Sequence, residues 1–362
     1  MKYDRVHNFY AGPAVLPVSV VEALAAQLPN LDGSGIGLME ISHRSKAFDA
    51  VFQSAKAGLA RILGIPEGYD VLFLQGGASL QFLMVPMNLM GKSGKADYLD
   101  SGAWAKKAIK ECKFVGDTKV VWSGAEGGYA DLPAVGGYEV RPDSAYLHYT
   151  TNETIGGVQW KRTPESGDVL LVADASSDIA SRPIDVARHA AIYAGAQKNM
   201  GPSGVTIVIV RKDLLGKTGD AIPTYLNYQT HIDNEGLFNT PSTLGIYVVD
   251  QVCKWIEGLG GLAAVEAINE EKGGMLYTEL DRTSFWKPHA ARDVRSMMNV
   301  TWRIANNDLE PKFISEATKA GLIGLKGHRS VGGLRASLYN ACPLESVKVL
   351  VDFMREFERV NG

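Results

Sequence analysis

The chain has 362 residues, of which 46% are hydrophobic and 21% are charged, and this ordinary balance excludes an intrinsically disordered protein. The length exceeds what one compact core usually takes, so we expect a large domain at residues 1–259, whose N-terminal segment packs on a smaller domain at residues 260–362. The net charge of −3 gives no general attraction to nucleic acid or anionic lipid, so an anionic ligand must be met locally.

The N-terminus and the cysteines indicate a cytoplasmic protein. Residues 1–5 lack the apolar stretch of a secretion signal, and no uncharged run approaches the roughly 18 residues needed to span a bilayer. Cys112, Cys253 and Cys342 lie far apart and outside any metal or redox spacing. The seven histidines also show no ligand spacing. We therefore expect reduced thiols, no metal site and no membrane partner.

The first strong pattern along the chain is a helix. Phe48, Val51, Phe52, Ala55 and Leu59 recur at three- and four-residue intervals and form one apolar face, which Gly64 ends. Short β-branched or apolar runs then alternate with stretches of helical spacing. The predicted strands are residues 71–74, 96–99, 119–122, 145–149, 169–173, 190–194 and 205–210. This alternation predicts an α/β fold whose large domain holds a mostly parallel seven-stranded sheet covered by helices.

The pattern changes at about Gly260 and predicts a smaller C-terminal α+β domain. Its expected elements are a long helix from about residue 260, a strand at 298–304, a helix at 311–319, two short strands around Gly327 and Leu334, and a helix at 344–360.

A turn with two glycines, Gln75-Gly76-Gly77-Ala78-Ser79, joins the first predicted strand to a helix. Such a turn exposes backbone N–H groups at the positive end of a helix, where a phosphate binds readily. The turn matches neither GxGxxG nor GxxxxGK[ST], which weakens the dinucleotide and P-loop interpretations.

Two charged residues follow predicted buried strands. Asp174 stands where the run Val169–Ala173 meets its loop, and it either caps a turn or lines a ligand crevice at the carboxyl ends of the strands. Lys198 lies between an apolar strand and the turn Gly201-Pro202-Ser203-Gly204. Most lysines lie on solvated faces, but apolar surroundings lower the pKa of an amine, as a Schiff-base lysine requires.

The segments Asp174-Ala175-Ser176-Ser177 and Gly195-Ala196-Gln197-Lys198-Asn199 together resemble the class V, fold-type I aminotransferases. The resemblance runs nearly end to end, through residues 8–17, 40–45, 148–155, 181–183 and 326–340. The His43-Arg44 and Gly327-His328-Arg329 segments narrow it to the members that exchange an amino group between glutamate and 3-phosphohydroxypyruvate. It implies a ping-pong reaction that serves serine biosynthesis.

The resemblance implies pyridoxal phosphate as the cofactor. Lys198 would hold it as a Schiff base and later move a proton, and Asp174 would pair with its pyridine nitrogen. Trp104 would stack on its ring, although position alone favours a plain core tryptophan. The remaining implied contacts are Thr154, the phosphate-binding Ala78, Ser79 and Gln197, and, from a neighbouring subunit, Asn239 and Thr240.

The implied substrates are glutamate and a phosphorylated 2-oxo acid, and they require several cations. Arg335 would clamp the α-carboxylate, because its planar fork suits bidentate pairing. The residues implied for the phosphate or distal carboxylate are His43, Arg44, His328 and Arg329. A homodimer with shared active sites would bring these distant pairs together. Ala78-Ser79 and Ala11 depart from the family, which often has an arginine and a serine at these places.

Several alternatives stay open from the sequence. An alanine-glyoxylate aminotransferase or a cysteine desulfurase belongs to the same class, but a desulfurase needs a nucleophilic cysteine on a mobile loop, whereas Cys342 follows a strand. A nicotinamide-dependent dehydrogenase lacks its glycine fingerprint here and leaves Lys198 unexplained. A non-catalytic binding protein is expected to have lost Lys198 or Asp174, and both are present.

Overall fold

The computed structural model describes residues 2–217 and 222–362. The helices are α1 (Val18–Gln27), α2 (Lys46–Leu63), α3 (Gly77–Leu89), α4 (Ala103–Cys112), α5 (Tyr228–Asp233), α6 (Thr243–Gly258), α7 (Leu262–Leu280), α8 (Glu310–Lys319) and α9 (Leu344–Asn361). The strands are β1 (His7–Asn8), β2 (Tyr69–Leu74), β3 (Lys95–Asp100), β4 (Asp117–Ser123), β5 (Leu147–Thr150), β6 (Asn152–Glu153), β7 (Val158–Gln159), β8 (Leu171–Asp174), β9 (His189–Gly195), β10 (Thr206–Arg211), β11 (Trp286–Pro288), β12 (Asn299–Ile304), β13 (Leu322–Ile323) and β14 (Leu334–Ser337).

The central sheet has seven strands in the order β2-β10-β9-β8-β5-β3-β4. Neighbouring strands from β9 to β4 run parallel, while β10 is antiparallel to both β9 and β2. Each of the seven predicted strands is present, with boundaries shifted by one or two residues. The predicted mostly parallel α/β sheet is therefore confirmed.

Helices cover both faces of this sheet because its strands are apolar on both sides. On one face α2 and α6 pack over the sheet, and Phe52 of α2 meets Phe73 of β2 edge to face at 5.5 Å between ring centroids. On the other face α3 contributes Phe82, which contacts Tyr193 of β9. The predicted end of α2 is confirmed, since Gly64 adopts φ 62°, a left-handed conformation that glycine accepts without strain.

The C-terminal region has a separate apolar core. β11, β12 and β14 form an antiparallel three-stranded sheet. Its Trp286 and Trp302 pack against Phe313 of α8, which in turn contacts Phe357 of α9. The N-terminal segment joins this region, because β1 pairs with β13.

One expected strand, around Gly327, is wrong. Residue 326 makes only an isolated bridge to Leu334, and the chain instead turns tightly, with Gly327 N–H donating to the Gly333 carbonyl at 2.9 Å. A Cβ at Gly327 would lie 2.0 Å from the Gly332 carbonyl oxygen, so only glycine permits this turn. Within residues 2–217 and 222–362, no helix combines the length and apolarity needed to cross a membrane.

Candidate active site

A cavity of about 390 Å³ opens at the carboxyl ends of the central strands. Thr150 and Asp174 are the last residues of β5 and β8, and Lys198 follows β9 by three positions. Nine residues named from the sequence line this cavity: Ala78, Ser79, Trp104, Thr154, Asp174, Gln197, Lys198, His328 and Arg335. The parallel strands thus gather side chains that are far apart in sequence.

The Lys198 amine is half-buried and held in place. Its Nζ donates to Thr154 Oγ1 at 2.6 Å and lies 5.5 Å from the centroid of the Trp104 ring. Burial lowers the pKa of Lys198 to about 8, although the negative charge of Asp174 opposes the shift. A much larger fraction of this amine than of an exposed lysine is therefore neutral and nucleophilic near neutral pH.

The Asp174 carboxyl is buried on the same cavity. Its Oδ1 accepts a hydrogen bond from the Ser176 N–H at 3.0 Å. Burial raises the pKa of Asp174, while the Ser176 hydrogen bonds and the charge of Lys198 act in the opposite direction. Asp174 is thus placed to share a proton with a basic nitrogen inside the cavity.

The amino-terminal end of α3 points into the cavity without a side-chain cap. Gly76 precedes the helix at φ 90°, and Gly77, Ala78 and Ser79 form both the first turn of α3 and part of the cavity wall. The N–H groups of a first helical turn have no partner within the helix. They create a site for an anion, which the helix dipole reinforces.

An arginine and a histidine also line the cavity. Arg335 on β14 donates from Nη1 to the Thr154 carbonyl at 3.2 Å, and burial lowers its pKa. The neighbouring His328 contacts Ser330 Oγ through Nδ1 at 2.7 Å. Burial and the positive charges of Arg335, Arg329 and Lys107 lower the pKa of His328. This part of the cavity suits an anionic substrate.

Comparison with known proteins agrees with this geometry. The family model described as aminotransferase class V matches residues 6–350. The chain belongs to the class V aminotransferase family. It is 51% identical to a phosphoserine aminotransferase of Lysinibacillus sphaericus (strain C3-41), over 98% of this chain and 99% of that one.

Solved structures give the same result. A phosphoserine aminotransferase from Bacillus circulans subsp. alkalophilus superposes with a TM-score of 0.97 at 48% identity, covering 99% of this chain and 100% of that chain. A PLP-bound phosphoserine aminotransferase from Trichomonas vaginalis superposes with a TM-score of 0.92 at 38% identity, covering 97% of this chain and 100% of that chain. Family membership confirms the predicted enzyme class, a transaminase dependent on pyridoxal phosphate, and removes the dehydrogenase alternative.

The cavity of this class V aminotransferase fits its cofactor. Pockets for ligands of this size typically measure about 300–1,000 Å³. Four buried polar atoms on residues that line the cavity have no partner in the described part of the chain: Trp104 Nε1, Thr150 Oγ1, Asn152 Oδ1 and Arg335 Nε. Since buried polar groups are normally hydrogen-bonded, these atoms indicate that a polar ligand completes the site.

Five of the residues implied by the class V resemblance do not line the cavity within this single chain. Arg329 is exposed beside His328. His43 and Arg44 contact each other, with 3.4 Å between Nε2 and Nε. Asn239 Nδ2 donates to Gln75 Oε1 at 2.9 Å, and the Thr240 carbonyl accepts from Gln75 Nε2 at 3.0 Å.

Sequence reasoning missed several polar residues of the cavity wall. These are Thr150, Asn152, Ser176, Ser177 and Ser203. Thr150, Asn152, Ser176 and Ser177 closely follow predicted strands, which is the one signal that places them at the ligand edge of a parallel sheet, whereas Ser203 lies in the turn before the strand at 205–210. Small polar residues are common after strands, so this signal does not distinguish a binding residue from a turn residue.

Proposed function

We propose that the protein is a phosphoserine aminotransferase, which transfers the amino group of glutamate to 3-phosphohydroxypyruvate and forms O-phosphoserine and 2-oxoglutarate. One observation carries the proposal. The Lys198 amine, with its pKa lowered to about 8, faces a cavity that also holds Asp174 and the uncapped end of α3. Full-length relatives at about half identity carry this activity in their names.

Different residues of the chain would contact the pyridine nitrogen, the phosphate and the ring of the cofactor. Pyridoxal phosphate, when bound, supplies an electron sink for the bond cleaved at the substrate α-carbon. Asp174 holds the proton on the pyridine nitrogen, and the first turn of α3, with Ser79 and Gln197, binds the phosphate. Trp104 would pack against the ring, and Thr154 would donate a hydrogen bond to the cofactor.

Lys198 has two proposed tasks. Its neutral amine would hold the cofactor covalently through the aldehyde carbon, with release of water, and the lowered pKa favours this bond. During turnover the same amine would accept the proton from the substrate α-carbon and deliver it to a cofactor carbon. The hydrogen bond to Thr154 Oγ1 orients Nζ for this transfer.

The proposed substrate contacts pair the anionic groups of the substrates with arginine and histidine side chains. Arg335 binds the α-carboxylate that glutamate and phosphoserine share, because a guanidinium pairs with a carboxylate through two parallel hydrogen bonds. His328 and Arg329 bind the phosphate or the distal carboxylate. We assign His43 and Arg44, and the phosphate contacts Asn239 and Thr240, to the site of a partner subunit in a homodimer.

Two further properties belong to this proposal. The enzyme acts in the cytoplasm, which the three reduced, buried cysteines support. The chain divides into a cofactor domain at residues 1–259 and a small domain at 260–362, which the separate apolar core around Trp302 and Phe313 supports.

A substrate comparison tests the proposal. Purified enzyme is assayed with glutamate and either 3-phosphohydroxypyruvate, pyruvate or glyoxylate as amino acceptor. We expect kcat/KM to be at least about a hundredfold higher for the phosphorylated acid, since a site built for an anion discriminates strongly against its absence. Comparable values for pyruvate or glyoxylate would remove the assignment and favour an alanine-glyoxylate aminotransferase.

The cysteine desulfurase alternative has little support. Cys342 is buried, and burial raises the pKa of its thiol to about 11, so it is neither exposed nor ionised near neutral pH.

A further inference from the structure

Glu153 is a buried carboxylate beside the cavity that the mechanism above does not use. It is the last residue of β6, directly before Thr154, and 1% of its surface is exposed. Its Oε2 accepts from the Trp104 N–H at 3.2 Å, and its Oε1 accepts from the Ala105 N–H at 3.0 Å. One carboxylate therefore binds the backbone of two successive residues of α4, one of which is Trp104.

These two contacts replace an ordinary helix cap. Gly102 precedes α4 and offers no side-chain cap, so the first N–H groups of the helix need a partner from elsewhere. A carboxylate is favoured at this position, because the amino-terminal end of a helix carries partial positive charge. Glu153 lies about fifty positions away in sequence and anchors the start of α4 to the loop that carries Thr154.

The fit between Gly102 and Glu153 is tight. A Cβ at Gly102 would lie 2.6 Å from the carboxylate carbon of Glu153 and 2.8 Å from Oε2. Both oxygens of this carboxylate accept hydrogen bonds from α4, so a side chain at position 102 would push them away from those N–H groups. The glycine before Trp104 is thus required by the carboxylate that holds the helix.

A buried carboxylate is a costly way to cap a helix. Burial raises the pKa of Glu153 to about 7, and the negative charge of Asp174 acts in the same direction, while the two N–H donors and Lys198 oppose the shift. A neutral serine cap would satisfy an α4 N–H without burying a charge. The placement of the carboxylate therefore needs a reason beyond helix stability.

We infer that Glu153 is a positioning residue, which fixes the backbone of Trp104 and thereby the plane of the indole against the cofactor ring. The inference rests on the proposed stacking role of Trp104. The neighbouring Thr154 holds Lys198 through its hydroxyl and Arg335 through its carbonyl. Two consecutive residues, Glu153 and Thr154, thus contact the backbone of Trp104, the Lys198 amine and the Arg335 guanidinium.

The test is the substitution Glu153→Gln in the holoenzyme, compared with Glu111→Gln near the far end of the same helix. Glutamine keeps the size but offers a single acceptor oxygen, so one α4 N–H loses its partner. The readouts are the visible circular dichroism of the bound cofactor and its dissociation rate on dilution. We expect the visible band to fall by about half and dissociation to accelerate about tenfold, the effect of losing one charge-assisted hydrogen bond. Glu111→Gln should match wild type.

A second variant, Gly102→Ala, displaces the carboxylate without removing it and should weaken the visible band in the same way. It decides the question if Glu153→Gln folds too poorly to measure. A wild-type visible band and dissociation rate in a folded Glu153→Gln or Gly102→Ala enzyme would overturn the positioning role. That result leaves the proposed function intact, whereas wild-type enzyme without an absorption band near about 400 nm would overturn the proposed function itself.

Discussion

At the scale of single residues, the chemistry depends on an amine that is easier to deprotonate than an exposed lysine. The pKa of Lys198 lies at about 8 instead of 10.5 because the charged form is poorly solvated in the cavity. Asp174 limits this shift by attracting the charge. Together, Lys198 and Asp174 keep the pKa of the amine close to the working pH, and they keep the carboxyl near a group that can share a proton with it.

This shift predicts the pH dependence of cofactor binding. Only the neutral amine attacks the cofactor aldehyde, so the binding rate of the apoenzyme should rise with pH up to about 8 and then level off. Stopped-flow absorbance near about 400 nm measures the rate. A rate that keeps rising to pH 10 would indicate an ordinary, solvated lysine.

Removal of the amine separates function from stability. In Lys198→Ala we expect kcat to fall by at least about 10⁴. The apoprotein should be as stable as wild type, or more stable by about 1 kcal/mol, because a half-buried ammonium that opposes folding is gone. Urea titration of both apoproteins checks this. A clear loss of stability would mean that Lys198 has a structural role.

The geometry of Arg335 predicts a change in KM. Arg335→Lys keeps the charge but loses the planar fork, so KM for glutamate and for 3-phosphohydroxypyruvate should both rise about tenfold or more. Steady-state kinetics of both half-reactions measures this. Arg359→Lys on the exposed face of α9 is the matched control. A rise for only one substrate would contradict the shared α-carboxylate contact.

At the scale of elements, the uncapped end of α3 predicts opposite effects on the apoenzyme and on cofactor binding. Ser79→Asp adds negative charge to the first turn, which should stabilise the apoprotein by about 0.3–1 kcal/mol through the helix dipole. The same charge repels the cofactor phosphate and should weaken cofactor affinity at least about tenfold. Ser79→Asn is the uncharged control. Equal cofactor affinities in the two variants would exclude the phosphate from this helix end.

The elements also show what sequence can predict. Six of the seven strands were found because their apolar runs are buried and bounded by turn residues, whereas the edge strand β4 is largely exposed and was recognised by its β-branched residues Val120 and Val121. The strand expected around Gly327 was wrong because its glycine serves a tight approach to the carbonyl oxygens of Gly332 and Gly333, and composition does not reveal such contacts. The capping role of Glu153 was also missed, because its partners lie in a helix that is distant in sequence.

At the scale of the whole molecule, the site described by one chain is incomplete under the proposed function. Lys198, Asp174 and Arg335 converge within the chain, whereas His43 and Arg44 do not reach the cavity. The family resemblance implies all five, but only the tertiary arrangement separates the residues that one chain brings together from those assigned to a partner.

Mixed dimers test this assignment. Neither Lys198→Ala nor Arg44→Ala should retain substantial activity alone. When the two variants are refolded together, a heterodimer has one site with the lysine of one chain and the arginine of the other, so activity should reappear. Activity measured against the mixing ratio gives the result. Mixtures that stay inactive while forming heterodimers would place Arg44 in the site of its own chain.

The most direct test of the central claim asks which lysine holds the cofactor. Lys272 is a natural competitor, because burial lowers its pKa to about 8 as well, but its Nζ donates to the carbonyls of Leu338 and Tyr339 away from the cavity. Holoenzyme is reduced with borohydride, which makes the bond to the cofactor permanent, and its peptides are analysed by mass spectrometry. We predict the cofactor mass on the peptide containing Lys198. A cofactor found on Lys272 or on any other lysine, or on no peptide, would contradict the account.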